Sequence, residues 1–147
     1  MSPCTFRVIG LPAPQGSKKH VGNGIMVESS KALKPWRSAV SAAAAEALER
    51  SDVEVFTGPL HLSVTFRLPM PKSRPAAVRA AGVAWKQGAP DLDKLVRSVG
   101  DAMTQAGLIG DDALIARTWS SKVEVWQAWT GALVTVARLG PPPPDLT

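Results

Sequence analysis

The sequence predicts a protein of the α/β (α+β) class, with two main helices packed on a mixed β-sheet of about four strands. Three observations lead to this prediction. Segments of alternating polarity are interspersed with two segments whose apolar residues recur every three or four positions. The resulting order β, α, β, α, β, β shows no internal repeat, as in a single layered domain. The 147 residues are 45% hydrophobic, enough for a core without disulfides.

The first half of the chain predicts a strand, a loop and a helix. Residues 5–11 are rich in β-branched and aromatic side chains and stop at Pro12, which is typical of a strand. Residues 12–24 contain two prolines and three glycines and predict a surface loop. Pro35 suits the first turn of a helix, and the alanine-rich residues 36–50 continue it.

The middle of the chain predicts a half-buried strand followed by a basic loop. From Leu60 to Leu68 apolar and polar residues alternate without exception, as in a strand with one buried face. Residues 70–89 contain no acidic residue and predict a basic loop, with a short helix at 76–81.

The last third predicts a helix and two strands. Apolar residues from Leu92 to Ala106 recur at helical spacing, and Gly107 supplies a C-terminal cap. The runs 114–126 and 131–139 are rich in strand-forming residues and predict a β-hairpin. We expect one domain over residues 1–140, followed by a disordered proline-rich tail at 141–147.

The charge of the chain restricts its partners. Seventeen Lys and Arg against 12 Asp and Glu give a net charge of +5, which favours a polyanion such as nucleic acid. The longest apolar run, residues 39–45, is too short to cross a bilayer, so we expect no membrane association. Cys4 is the single cysteine, which fits a reducing cytoplasm.

Five aspartates are concentrated around the second predicted helix of this basic chain: Asp91, Asp93, Asp101, Asp111 and Asp112. The first two share a face if the chain is extended before the helix, and the third lies two turns further on the same polar stripe. Mg²⁺ is a hard cation that takes carboxylate oxygens, waters and substrate phosphate as ligands. A metal-dependent nuclease would need such a group, with Lys94 or Arg97 to neutralise charge on the reacting phosphate.

A structural interpretation of these acids stays open beside the catalytic one. Asp91 or Asp93 would serve as a helix cap, and Asp93, Arg97 and Asp101 would form a solvated ladder of ion pairs. The Gly-Asp-Asp sequence at 110–112 is also typical of an ordinary turn.

One family resemblance covers most of the chain. The segment PDLDKLVRSVGDAMTQAGLIGDDALI at 90–115 resembles the core motif of the RusA-type Holliday-junction resolvases, which are common in bacteriophages and prophages. PAPQGSKK at 12–19 is similar to the N-terminal loop of that family, and KPW at 34–36 is similar to the start of its alanine-rich helix.

The resemblance implies a small homodimeric endonuclease that binds four-way DNA junctions in the cytoplasm of a bacterial host and nicks two opposed strands with Mg²⁺, or with Mn²⁺. The essential aspartates of the family fall on Asp91, Asp93 and Asp112, and Asp101 and Asp111 match further acidic positions. The functional lysine of the family falls on Arg97. This departure keeps the positive charge but removes any role in proton transfer. Gly100, a poor helix former in mid-helix, is a second departure.

Polar and basic side chains near these acids are the predicted DNA contacts. They donate to phosphate oxygens and so position the substrate rather than read its bases. The predicted set is Gln15, Ser17, Lys18, Lys19, Lys72, Arg74, Lys94 and Lys122. Trp119, Trp126 and Trp129 would stack on unpaired bases, although packing in a core or interface is the favoured interpretation.

Three other functions compete with the resolvase. A nuclease for flaps or replication forks would use the same metal chemistry. A non-enzymatic DNA-binding adaptor would use the basic loops, but acids at a DNA-facing centre repel phosphate. A glycosyltransferase would use Asp-x-Asp for Mn²⁺, but no Gly-rich turn is present to hold a nucleotide.

Overall fold

The computed structural model describes residues 3–16, 31–50 and 54–146, and the backbone of 18–20 and 26–28. The elements are β1 (Cys4–Ile9), β2 (Lys18–His20), β3 (Met26–Glu28), α1 (Leu33–Arg50), β4 (Leu60–Pro69), α2 (Ala76–Ala81), β5 (Val83–Trp85), α3 (Leu92–Ala106), β6 (Ile115–Val125) and β7 (Gly131–Arg138). Short 3₁₀ turns form at Asp112–Leu114 and, in the proline-rich tail, at Pro144–Leu146.

The main sheet is mixed, as predicted, and has five strands in the order β1-β7-β4-β6-β5. β4 runs parallel to β6, and the other neighbouring strands are antiparallel. The additional strand is β5, whose three residues lie in the segment predicted as a basic loop. β2 and β3 pair with each other in a second small sheet, which forms partly within the predicted loop at 12–24.

The predicted hairpin of the last two strands is wrong. β6 and β7 do not pair, because β4 lies between them and hydrogen-bonds to both. The physical reason lies in β4, in which apolar and polar residues alternate and the apolar residues are at most 5% exposed. A central position buries the apolar face of β4 and satisfies the backbone hydrogen bonds along both of its edges. The connection between β6 and β7 passes the end of β4, where Arg67 Nε donates to the Trp129 carbonyl at 3.0 Å.

The core lies between α1, α3 and one face of the sheet. It contains apolar side chains from both helices and from alternate positions of β1, β4 and β7. Trp36 of α1 donates through Nε1 to Ser98 Oγ of α3 at 3.0 Å, and Ser98 donates to the Leu95 carbonyl at 2.6 Å. The apolar faces of β4 and of α1 are both buried in this core.

Among the described residues, no helix covers the second face of the sheet. We call it the open face, and it includes Arg7 of β1, Ser63 and Thr65 of β4, Trp119 of β6, and Leu133 and Thr135 of β7. Several of its side chains are exposed, with Trp119 at 66% and Leu133 at 47%. Within the described part of the chain, no helix is both long enough and apolar enough to span a membrane.

Candidate active site

The start of α3 presents two acidic side chains to solvent. Asp91 takes an extended conformation at the N-cap position, but its carboxylate makes no capping hydrogen bond. It is exposed, and Lys94 Nζ lies 3.7 Å from its Oδ2. Asp93 follows in the first turn and is also exposed. The capping interpretation therefore does not account for Asp91, whose carboxylate remains accessible to a ligand.

Lys122 holds the segment before α3 in place. It lies on β6, and its Nζ donates to the carbonyl of Pro90 at 2.8 Å and to the carbonyl of Gly88. The amino group thereby ties β6 to the residues that lead into Asp91. Lys122 was predicted to bind DNA, and the structure places its amino group beside the backbone that leads into α3.

Asp101 is held from two directions on the outer surface of α3. Its Oδ2 lies 2.5 Å from a guanidinium nitrogen of Arg37 on α1 and accepts a hydrogen bond from Gln15 Nε2 at 3.3 Å. The backbone N–H of Gln15 also donates to the Lys94 carbonyl at 3.0 Å. Gln15 was predicted to bind DNA, and here its amide positions an acidic residue.

Arg97 does not take part in the expected ladder of ion pairs. The arginine that pairs with Asp101 is Arg37, while Arg97 is exposed and lies against the backbone of Gly16. A Cβ added at Gly16 would be 2.6 Å from an Arg97 guanidinium nitrogen. The Gly16 position, with a φ of +95°, therefore leaves room for the Arg97 side chain between α3 and the N-terminal loop.

After the C-terminal cap of α3 at Gly107, the chain turns so that Asp111 and Asp112 lie beside α3. Asp111 Oδ1 accepts the backbone N–H of Ala113 at 2.9 Å. Asp112 follows and packs close to Gly100 of α3, where an added Cβ would be 3.4 Å from the Asp112 Cβ. Gly100, the second departure from the family pattern, therefore lies where the turn at Asp112 packs close to α3.

The two carboxyl groups of this turn shift each other's pKa in opposite directions. The pKa of Asp112 is raised by its hydrogen bond to Asp111, by burial, and by repulsion from Asp111 and Asp101. The pKa of Asp111 is lowered, first by the Ala113 N–H and then by the hydrogen bond with Asp112. Of these two carboxyl groups, Asp112 is thus the one whose negative charge is less favourable. A cation nearby would favour its ionised form.

The aspartates form two groups rather than one. Asp91 and Asp93 lie at the start of α3, and Asp101, Asp111 and Asp112 lie near its far half. Eight residues of helix separate Asp93 from Asp101, about 12 Å along the axis. Among the described residues no three acidic, histidine or cysteine side chains lie close enough together to hold a metal ion. The donor type nevertheless fits Mg²⁺, which usually takes one or two carboxylates and completes its shell with water and phosphate.

The predicted basic contacts fall into three classes. Lys72 is exposed and available, and Lys94 is half-buried beside Asp91. Arg74 is engaged elsewhere, because its guanidinium makes two hydrogen bonds, of 2.6 and 3.1 Å, to the buried Glu124. Ser17 and the side chains of Lys18 and Lys19 lie outside the described residues.

A cavity of about 460 Å³ adjoins the start of α3. Its walls are mainly proline and other apolar side chains, with Lys86 and Asp91 as the charged members. Leu68 and Pro69, at the end of β4, also line it. The acidic helix start therefore borders a concave surface and not a flat one.

The model of the endodeoxyribonuclease RusA family matches residues 10–136, which is most of the chain. The chain belongs to the RusA family. A comparison with curated proteins finds no significant match. The RusA match includes all five aspartates, Arg97 and Lys122, and it identifies the chain as an endodeoxyribonuclease.

Sequence reasoning missed two residues of the RusA-type site described above. Arg37 lies on α1, and nothing local in the sequence links it to Asp101, because the contact depends on how α1 packs against α3. Gly100 was noticed only as a poor helix former. Its position in mid-helix was the available signal, since a glycine there costs helix stability and leaves space for another segment.

Proposed function

We propose that this RusA-family endonuclease is Mg²⁺-dependent and selective for branched DNA, and that it resolves Holliday junctions by paired nicks as a homodimer in the cytoplasm of a bacterial host cell. The observation that carries the proposal is the position of Asp112. It is held against α3, where its charge faces both Asp101 and Asp111 and its pKa is raised. Crowded acids in a basic DNA-binding protein are costly unless a cation joins them and offsets their repulsion of phosphate.

The residues of the site have two kinds of role: some supply charge, and others hold the charged residues in position. Asp91 and Asp93 offer exposed carboxylates at the start of α3, and Asp112 offers a third from the turn. Bound Mg²⁺ would neutralise phosphate charge and activate a water for hydrolysis. Lys94 and Arg97 lie on the same helix and attract the phosphate backbone, while Lys122 fixes the segment before Asp91. A guanidinium is a poor general acid or base, so the role proposed for Arg97 is electrostatic.

Junction selectivity and the dimer follow from the symmetry of the substrate. A four-way junction with paired arms presents two equivalent strands, and a two-fold dimer presents one acidic site to each of them. A flap or fork lacks this symmetry and would be cut once. The number and position of nicks therefore distinguish the two kinds of nuclease.

Strand cleavage of a synthetic four-way junction and of a linear duplex of the same sequence tests the proposal. Wild type is compared with Asp112→Asn and Asp93→Asn, with Mg²⁺ or with EDTA. Asp145→Asn is the matched control, because Asp145 is an exposed aspartate in the C-terminal tail. We expect paired nicks in the junction alone, lost with EDTA and with either site substitution and retained in the control.

The other outcomes each reject a defined part of the proposal. Equal cutting of both DNAs would remove the junction selectivity, and single nicks in place of paired nicks in the junction would favour the branched-DNA alternative. Tight binding without cleavage under any divalent ion would leave a DNA-binding adaptor. Full activity of Asp112→Asn would show that the raised pKa of Asp112 has no part in the chemistry.

A further inference from the structure

The open face of the sheet has the composition of a nucleic-acid surface. β1, β4 and β7 contain no Asp or Glu, and the single acidic residue of β6, Glu124, pairs with Leu68 on the opposite side of the sheet. Arg7, Arg67 and Arg117 lie on the open face. This surface is therefore positively charged without acidic compensation along these four of the five strands of the sheet.

Aromatic side chains accompany these arginines. The Arg7 and Arg67 guanidinium carbons lie 4.7 and 4.1 Å from the ring centre of Trp129. That of Arg117 lies 5.3 Å from the ring centre of Trp119. Trp129 is half-buried between its two arginines, but Trp119 is 66% exposed and keeps ring surface free for a ligand.

Trp119 is held in a defined orientation although it is exposed. Its ring stands edge-on to His61, with centroids 4.8 Å apart and an interplanar angle of 77°. Arg117 Nε donates to His61 Nδ1 at 3.0 Å, so the opposite ring nitrogen carries the proton and donates to Ser63 Oγ at 3.2 Å. Burial, followed by the charge of Arg117, lowers the pKa of His61, which keeps this neutral arrangement at physiological pH.

A groove of about 320 Å³ lies beside Trp119 at the centre of the open face. Hydroxyl groups dominate its lining, which includes Ser63, Thr65, Ser121 and Thr135, and Leu133 contributes an apolar wall. Ser and Thr hydroxyls bind phosphate and sugar oxygens, and the neighbouring arginines bind phosphate. The groove thus combines an aromatic ring for a base with donors for a backbone.

We propose that the open face binds an unpaired DNA strand, with one base stacked on Trp119 and the adjoining backbone held by the hydroxyl-lined groove and by Arg117. The inference rests on the proposed function only in taking DNA as the partner. A base must leave the double helix to expose its ring face, so the surface fits unpaired nucleotides better than a duplex. A second copy of this chain fits less well, because a two-fold contact would bring uncompensated arginines together.

The open face and the candidate active site lie on opposite sides of the sheet, and both extend to the end of β4. Arg67 precedes Leu68 on β4, and Leu68 lines the cavity that also includes Asp91. Trp119 of β6 pairs in register with Ser63, which lies on β4 like Arg67 and Leu68. A DNA strand that crosses the open face along β4 therefore reaches the start of α3 around the end of this strand.

The test measures binding of a fluorescein-labelled oligothymidylate of about 15 nucleotides by anisotropy, in EDTA. Wild type is compared with Trp119→Ala and Trp119→Phe. The matched control is Trp85→Ala, because Trp85 is the other strongly exposed tryptophan, at 73%, and does not line the groove. We expect a loss of affinity of about tenfold or more for Trp119→Ala, and near wild-type affinity for Trp119→Phe and for the control.

A second variant examines the charge. Arg117→Gln should weaken binding and reduce the slope of log affinity against log salt by about 0.7, the value of one phosphate contact on a single strand. Unchanged binding by Trp119→Ala, or equal losses with Trp85→Ala, would overturn the proposal. A shift of Trp119→Ala to a smaller species in sedimentation without DNA would assign the face to a contact between copies and would also overturn it. Because EDTA prevents metal-dependent cleavage, this result is independent of nuclease activity, which the junction assay measures separately.

Discussion

At the scale of single residues, Gly100 shows how the site depends on the absence of a side chain. A glycine in a helix interior is less stable than alanine by up to about 1 kcal/mol. Here it is buried beside Asp112 and Ile115, and an added Cβ would be 3.4 Å from a side-chain carbon of each. This separation is that of ordinary contact, so the position accepts one methyl group but not a larger side chain.

Two substitutions at Gly100 separate helix stability from the placement of Asp112. We expect Gly100→Ala to raise the free energy of unfolding by up to about 1 kcal/mol and to retain cleavage. Gly100→Val should push the turn at Asp112 away from α3 and lower the cleavage rate by about tenfold or more, because small displacements of reacting groups are costly. Urea denaturation and junction cleavage on the same preparations check both expectations. Equal activity of the folded valine and alanine variants would contradict the role given to Gly100.

The aspartates could be predicted from the sequence, but their partners could not. The three- and four-residue spacing of apolar side chains placed Asp93 and Asp101 on the outer stripe of α3, and both are there. The contact of Asp101 with Arg37 depends on the packing of two helices that are distant in sequence. The same limit applies to Gln15, whose contact with Asp101 the sequence did not predict and whose contact with DNA stays a prediction.

At the scale of elements, local patterns predicted the helices well and the strand order poorly. α2 and α3 occupy the predicted residues, and Gly107 caps α3 with a φ of +80°. The hairpin prediction failed because β6 and β7 pair with β4, a strand whose apolar face is buried and whose two backbone edges are both paired at the centre of the sheet. β5 was missed because its three residues are held by pairing with β6 and not by their own pattern.

The basic loop predicted as a phosphate-binding segment is partly an internal ion-pair network. Glu124 of β6 is 2% exposed, accepts two hydrogen bonds from Arg74, and lies 3.7 Å from Lys86 Nζ. These contacts join the segment before α2 and the residue after β5 to the centre of the sheet. Whether Arg74 also contacts DNA stays a prediction.

Substitution of Glu124 should destabilise the fold in a pH-dependent way. The hydrogen bonds from Arg74 come first among the causes that lower the pKa of Glu124 below its ordinary value of 4.5. Its stabilising contribution is therefore fully present above about pH 4.5 and is lost as the pH falls through the lowered folded pKa. We expect Glu124→Gln to cost about 1–3 kcal/mol at pH 7, because it leaves charged partners unpaired.

Urea denaturation of wild type and of Glu124→Gln between pH 7 and pH 3 measures this contribution. The difference in unfolding free energy between the two proteins should shrink as the pH falls. Glu54→Gln is the control, since Glu54 is exposed and its substitution should have little effect at any pH. A difference that stays constant over the whole range would show that the carboxylate charge of Glu124 does not stabilise the fold.

At the scale of the whole molecule, the five aspartates of the candidate site and the arginines of the open face lie on different surfaces. The carboxylates lie on the outer side of α3 and the turn that follows it, while the open face carries arginine without acid. The net charge of +5 indicated a polyanionic partner, but only the folded chain shows this separation. Composition gives the sum of the charges, and the strand register decides which face each one occupies.

Each chain contains one set of the five aspartates, so paired nicking requires two chains at one junction. A dimer built from one wild-type chain and one Asp112→Asn chain should therefore nick a four-way junction on one strand only. Such dimers are obtained by co-expressing the two chains with different affinity tags and purifying on both. On a junction carried by a supercoiled plasmid, wild type should give linear product, and the mixed dimer should give nicked circles, because the second cut needs the second active site.

The mixed preparation also tests the dimer itself. Recovery of no doubly tagged species would contradict the homodimer, since two chains that associate stably must copurify. Linear product from the mixed dimer at the wild-type rate would show that one active site makes both cuts in turn. Reversing the tags between the two chains provides the control, because the symmetry of the dimer requires the same outcome for both arrangements.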